Sequence, residues 1–342
     1  MHSTFSDLDV WVLAGQSNMQ GFAWRQGALA PDPMVRVFSS AGAWDIAEEP
    51  LHRLWESFTP VNQELMRPGL APADKDLTDA EIAHRESREG VRGAGLGLSF
   101  GIAMARETGR QIGLIPAAHD GSRLIQWSES GKSLAVHSLY GAMLERIARA
   151  GGRLRGLLWY QGESDAHDME ASRSYAQRLD RWIAALRADT GLPELPVVAV
   201  QIGRALAPKA GHGQFPGWDL VREAIATLPE RTRVTEIEPW TAPTGGCNAL
   251  RVRFEGVTNG WTRTDAIQGF TVHPAHGSSE APPFLINAWV DEQAKDESVI
   301  LLLTRPLAPG ERLGYGVGTD PRCDLVDGTD MPLCSFLPRD WH

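Results

Sequence analysis

The stretch DVWVLAGQSNMQG, residues 9–21, decides how the chain is read. Val10 to Gly15 are apolar or small, a run too short for a helix and too continuous for a half-exposed strand. Such a run reads as a strand buried on both faces, as in a parallel sheet. It ends in Gly15 and passes at once into Gln16-Ser17-Asn18, a hydroxyl between two amides. Gly, Ser and Asn suit a turn, so one reading is a polar loop. The other is that the strand aims Ser17 at a ligand.

Outward from this stretch, apolar bursts alternate with amphipathic segments. VRVF (35–38), IGLIP (112–116), GLLWY (156–160), PVVAVQI (196–202) and RVTEI (233–237) are short, apolar and bounded by Gly, Pro or charge, as strands are. Between them Tyr140, Met143, Leu144 and Ile147 fall at helical spacing, as do Tyr175, Leu179, Trp182, Ile183 and Leu186. Strand–helix alternation predicts an α/β fold in which helices cover both faces of a parallel sheet. Residues 45–92 are charged, Pro-containing and weakly periodic, so they read as a long excursion. From about 248 the texture becomes strand-like without helical period: LRVRF (250–254), FLINAWV (284–290), SVILLLT (298–304) and ERLGYGVG (311–318). The expected organisation is an α/β domain over 1–245 and a small β-rich C-terminal domain over 246–342.

Composition narrows the function classes. The 342 residues are 42% hydrophobic and 22% charged, an ordinary globular balance. A formal net charge of −10 argues against nucleic-acid or anionic-membrane partners. The arginines of HRESREGVR (84–92) are interleaved with acids, a solvated face rather than a phosphate stripe. No run approaches the roughly 20 apolar residues that cross a bilayer. MHSTFSDLD lacks a basic region followed by an apolar one, so no signal peptide is expected and the location is read as cytoplasmic. Cys247, Cys323 and Cys334 form neither a zinc pattern nor a disulfide scaffold and read as buried free thiols. Twelve Trp against four Tyr is skewed, and Trp serves both cores and sugar-stacking clefts.

In open parallel sheets ligands collect beyond the carboxyl ends of strands. Four such ends carry GQSNM (15–19), AHDGS (118–122), QGESD (161–165) and Gly203-Arg204 before a loop holding His212. A serine that can attack, backbone N–H groups beside Gly, and a side-chain amide are what ester hydrolysis needs. GQSNM, AHDGS with Trp127 beyond it, and WYQGESDA (159–166) resemble the successive blocks of the SGNH (GDSL-type) hydrolases. The nearest likeness is to the sialate O-acetylesterase-like branch of carbohydrate esterases. GTDPRCDLVDGTDMPLCSF (318–336) is similar to the segment C-terminal to the catalytic domain in that branch. The resemblance implies a flavodoxin-like three-layer α/β/α fold and a serine esterase acting on acetylated carbohydrates without metal or organic cofactor. It makes Ser17 the nucleophile, Gly121 a backbone donor to the oxyanion and Gln161 an amide donor, with the N–H of Ser17 a further one. Where relatives have Gly-Gly-Thr, this chain has Asp120-Gly121-Ser122, a carboxylate beside developing negative charge.

The same family supplies its base from an Asp-x-x-His block after the last strand. RVTEIEPWTAPTGGCNALRVRF (233–254) contains none, and Glu238 stands roughly where the block would begin. His119, His167 and His212 come after strand ends; His212, in the Gly-rich loop APKAGHGQFPGW, is the expected base. The alternative is a carbohydrate-binding pseudoenzyme that has lost its base. His273 and His276 lack a third ligand nearby and read as loop residues. GAGLGLSFG (93–101) comes after a charged stretch rather than a strand, so its glycines read as close-packing residues, not a dinucleotide loop. With the family's last helix missing, apolar surface around Val234 and Ile237 needs cover from the β tail or a second subunit.

Overall fold

The computed structural model describes residues 5–66, 78, 81, 93–205, 215–228, 233–240 and 248–340. Two compact units divide it. One comprises Met1–Ser164 with Ala176–Val200, the other Asp165–Tyr175 with Gln201–His342. The described residues among 201–245, read from sequence with the α/β body, fall in the second unit.

In the first unit the apolar bursts become β1 (Asp9–Gly15), β2 (Val35–Phe38), β4 (Ile112–Pro116), β5 (Arg153–Tyr160) and β6 (Val197–Ala199). They pair in parallel, and Trp44–Ile46 adds β3 as an antiparallel edge, giving the order β3-β2-β4-β1-β5-β6. All seven residues of β1 are buried, as its unbroken apolar run predicts. Its one charge, Asp9, is held by Arg110, by Arg153 Nε at 3.2 Å and by Arg155 Nε at 2.9 Å.

The predicted helices lie at Leu139–Ala150 and Tyr175–Thr190. Ser138 Oγ caps the first by accepting from Gly141 N–H at 3.0 Å, and Gly151 ends it. A third helix, Gly97–Thr108, contains the second half of the glycine-rich motif. A Cβ on Gly97 would lie 2.5 Å from Leu13, and one on Gly101 2.7 Å from Val35, so these glycines serve close packing. Leu98, Ile102 and Ala105 join Trp11, Leu13, Val35 and Leu114 in one core. Much of the tryptophan excess is core: Trp127 and Trp182 both pack against Trp159. This is the α/β three-layer class expected, with the sheet mixed rather than wholly parallel. Of the excursion, a 3-10 turn (Leu54–Glu56) and the helix Pro60–Met66 are described; most of 67–92 is outside the described residues.

The chain leaves β1 toward β2 on one side, while β5 feeds β6 on the other. Such a reversal opens a crevice at the carboxyl ends of the two neighbouring strands, here β1 and β5. Gly15 and Tyr160 are register partners at that end.

The second unit corrects one strand. RVTEI lies in β7 (Arg233–Trp240), which pairs antiparallel with β8 (Ala249–Glu255) and not with the parallel sheet. β9 (Phe270–His273), β10 (Leu285–Val290), β11 (Ser298–Leu303), β12 (Arg312–Tyr315) and β13 (Phe336–Asp340) complete two sheets, β10-β11-β8-β7 and β13-β12-β9. Glu238 stands opposite Arg251 and meets both Arg251 and Arg253 at 3.2 Å, a cross-strand charge set rather than the start of a catalytic block. Ile237 is buried among Leu250, Val252 and Phe254, so the β tail covers it. The Val234 side chain lies outside the described residues. A helix, Trp218–Ala226, precedes β7 where no helical period was read. Cys323 is exposed and Cys334 partly buried, both free thiols, correcting the expectation that they are buried. Cys247 is outside the described residues. His273 ends β9 and its ring meets Thr271 Oγ1 at 2.9 Å. Among the described residues no group of three His, Cys, Asp or Glu could hold a metal, and no helix is long and apolar enough to cross a membrane.

Candidate active site

The site grows from the end of β1. Gly15 has φ +139°, and a Cβ there would stand 2.1 Å from Tyr160 O, so only glycine lets β1 turn against β5. Gln16 N–H then donates to Tyr160 O at 2.9 Å. The Gln16 side chain turns inward, 3% exposed, and its Oε1 accepts from Gln161 Nε2 (3.2 Å), Gly162 N–H (3.4 Å) and Ser164 N–H (3.2 Å). Asn18 turns outward, and its Nδ2 donates to Glu163 Oε1 at 2.5 Å. The two amides flanking the serine are clamps to the β5 loop. Ser17 itself is partly exposed at the start of the one-turn helix Ser17–Gln20, and its hydroxyl makes no hydrogen bond among the described residues.

The β4 loop is tied to the same turn. His119 N–H donates to Gly15 O at 3.0 Å, and Asp120 N–H donates to Gln20 Oε1 at 2.8 Å. Ser122 Oγ donates to Gly15 O at 3.3 Å and accepts from Trp127 Nε1 at 3.0 Å, which gives the buried tryptophan of this block its place. Gly121 is exposed in the left-handed region at φ +68°. The N–H groups of Ser17 and Gly121 carry no hydrogen bond among the described residues. Each lies one residue from a group that is tied across the loops.

Gln161, fully buried, donates through Nε2 to Gln16 Oε1 and to Ser122 O at 3.0 Å. A carboxamide nitrogen has two hydrogens, and both are engaged. Gln161 joins the three loops, and would have to release one bond to donate to an oxyanion. Glu163 faces Asp120 as well as Asn18. Burial first, and the Asp120 charge among lesser causes, push its carboxyl above the usual range. Its Oε2 is buried with no partner among the described residues.

The expected histidines separate. His212 is outside the described residues. His167 belongs to the second unit, its ring against Phe215 at 4.5 Å. His119 is buried, with Nδ1 3.2 Å from Asn62 Nδ2. A histidine not singled out from sequence, His52, is 1% exposed with Nε2 3.4 Å from Leu13 O. Burial chiefly lowers its pKa to about 3. The unfolded chain protonates it near 6.5 while the fold resists, so its stabilisation is complete above that pH and is lost as pH falls. Between about pH 6.5 and about pH 4.5 the wild type should lose roughly 2–3 kcal/mol more stability than His52→Gln, by chemical denaturation at the two pH values. Equal losses would show that His52 does not carry this dependence. The clamping roles of Gln16, Asn18 and Gln20, and the buried His52, were missed because a side-chain amide or imidazole in a loop has no periodic signature.

Known proteins resemble this chain in sequence and in fold. Residues 7–238 match the family model described as carbohydrate esterase, sialic acid-specific acetylesterase. The Arabidopsis thaliana protein named "Probable carbohydrate esterase At4g34215" is 29% identical over 236 residues, covering 63% of this chain and 73% of that protein. The crystal structure of a carbohydrate acetylesterase from Xanthomonas citri is 18% identical with a TM-score of 0.62, covering 97% of this chain and 80% of that one. At that identity the likeness speaks for the fold, and it extends through the β-rich tail. The family match covers the whole first unit from β1 onward and all three tied loops, and by it the chain belongs to the sialic acid-specific acetylesterase family of carbohydrate esterases.

Proposed function

We propose that the chain is a serine esterase that removes O-acetyl groups from carbohydrates, with the acyl-enzyme on Ser17. The observation that carries this reading is the clamped turn: a partly exposed hydroxyl at the end of the central strand, with the loop that carries Gly121 tied to the same turn through His119 and Asp120. Ser17 Oγ attacks the acetyl carbonyl carbon, and its proton passes to a base, for which His212 is the proposed residue. The N–H groups of Ser17 and Gly121 donate to the oxyanion of the tetrahedral intermediate. The C–O bond to the sugar breaks, and the sugar oxygen leaves with the proton. Water repeats the attack on the acetyl-enzyme and releases acetate. In this reading Gln161 is the clamp that holds the donors in register.

A serine-directed phosphonate tests the nucleophile. One equivalent should attach, and peptide mass spectrometry should place it on Ser17, with acetate release from acetylated sugars lost in step. Label elsewhere, or activity that survives full labelling, would sink the mechanism. The second reading, a carbohydrate-binding pseudoenzyme, is supported by the absence of an Asp-x-x-His block. It predicts sugar binding with neither labelling nor acetate release above the water rate.

A further inference from the structure

Arg146, on the helix Leu139–Ala150, is 1% exposed and has no carboxylate within ion-pair range among the described residues. Burial lowers its pKa to about 10, which leaves it charged at neutral pH. Its Nη2 donates to Ser57 Oγ at 2.7 Å, Thr59 Oγ1 at 3.1 Å and Asn62 Oδ1 at 3.5 Å. A guanidinium only donates, so both hydroxyls accept from it and must send their own hydrogens elsewhere. Ser57 Oγ and Thr59 Oγ1 lie 2.7 Å apart, so one can donate to the other, and each also reaches Asn62 Oδ1, Ser57 at 3.1 Å and Thr59 at 2.6 Å. Arg146 Nη2, which can only donate, faces the same atom at 3.5 Å, and Thr59 Oγ1 finds its short acceptor there, so that atom is assigned as the amide oxygen of Asn62. The Asn62 nitrogen therefore faces His119 Nδ1, 3.2 Å away. That nitrogen donates, so Nδ1 must offer its lone pair, and the hydrogen of the neutral ring lies on Nε2.

We propose that Arg146, acting through Ser57, Thr59 and Asn62, is a positioning residue that locks His119 as the neutral Nε2-protonated imidazole and thereby holds loop 119–122 against the nucleophile turn. The loop is fastened at this residue, since His119 N–H donates to Gly15 O, and Gly121 is two positions on. A hydrogen on Nδ1 would oppose the amide N–H. Turning the amide over would oppose its hydrogens to the guanidinium and take from Thr59 Oγ1 its acceptor at 2.6 Å. Among the described residues, the charged and titratable groups around the network are Arg146 on its helix, His52 on the excursion, Asp120 on the loop itself and Glu163 beyond it. This wiring withdraws His119 from the role of general base. The catalytic part of the inference rests on the reading of Ser17 and Gly121 above; the tautomer does not.

The test is nitrogen-15 NMR of the full chain labelled at histidine, with kinetics on p-nitrophenyl acetate. The wild-type His119 should show an unprotonated Nδ1 and a protonated Nε2 from about pH 5 to about pH 8. Asn62→Asp replaces the donor with an acceptor, and should move the hydrogen to Nδ1 and add an acid limb to the pH–rate profile. Arg146→Lys, a point charge that cannot span both hydroxyls, should lower kcat about tenfold with KM within about twofold. A wild-type ring carrying hydrogen on Nδ1, or titrating in that range, overturns the proposal. An unchanged kcat in Arg146→Lys overturns the positioning role. The wild-type spectrum needs neither a variant nor turnover, so it is judged even if a substitution unfolds the chain or Ser17 proves not to be the nucleophile.

Discussion

Replacing Ser17 by alanine should lower kcat for acetyl ester hydrolysis by about four orders of magnitude or more, with the fold unchanged. The size comes from the role proposed for the hydroxyl: if it is the nucleophile, no acyl-enzyme forms without it, and only the rate that oxyanion donors and binding give to direct water attack remains. The unchanged fold comes from the bonds the hydroxyl lacks. It makes no hydrogen bond among the described residues, while the turn is held by Gln16, Gln20 and the backbone of Gly15. Stability should therefore move by no more than about 0.5 kcal/mol. The paired measurement matters. Lost activity in a destabilised protein would say little, but lost activity at an unchanged denaturation midpoint isolates the chemistry. Retained acetate release in Ser17→Ala would leave the mechanism without a nucleophile.

The α/β body was readable because buried parallel strands announce themselves as unbroken apolar runs, and β1, β2, β4 and β5 all lie where such runs occur. RVTEI misled because its apolar positions were weighed and its charges were not. Glu236 and Glu238 alternate with Thr235 and Ile237, the pattern of an antiparallel strand with one face in solvent, and Glu238 pairs with arginines of β8. The short helix Trp218–Ala226 was hidden behind a Gly- and Pro-rich approach that read as loop. At the site, motif residues could be named from sequence, but the hydrogen bonds that give them roles could not. Gln161 is one case. As a letter it suits an oxyanion donor; in the fold both of its hydrogens are spoken for by Gln16 and Ser122. Arg146 is another, since its helical spacing carries no hint that it serves a loop far away in sequence.

Two glycines at the site, both with positive φ, should respond to the same added methyl group by very different amounts. Gly15→Ala should destabilise the chain by roughly 4 kcal/mol or prevent folding, a loss at the upper end of what one substitution does. Its φ of +139° is a region that side-chain-bearing residues avoid. The new Cβ would lie 2.1 Å from Tyr160 O and 2.6 Å from Tyr160 C, backbone atoms of β5 that cannot swing aside. Relief would require β1 and β5 to part at Gly15 and Tyr160, breaking the Gln16 N–H bond to Tyr160 O. Gly121→Ala meets nothing within 4 Å and sits at φ +68°, where alanine costs only about 1–2 kcal/mol. Its N–H stays in place, so the proposed oxyanion donor survives. Denaturation curves of the two variants should therefore differ by more than about 2 kcal/mol, with Gly15→Ala the weaker. Equal stabilities would mean that β1 does not end against Tyr160 as described. The serine would then lose the strand end that aims it.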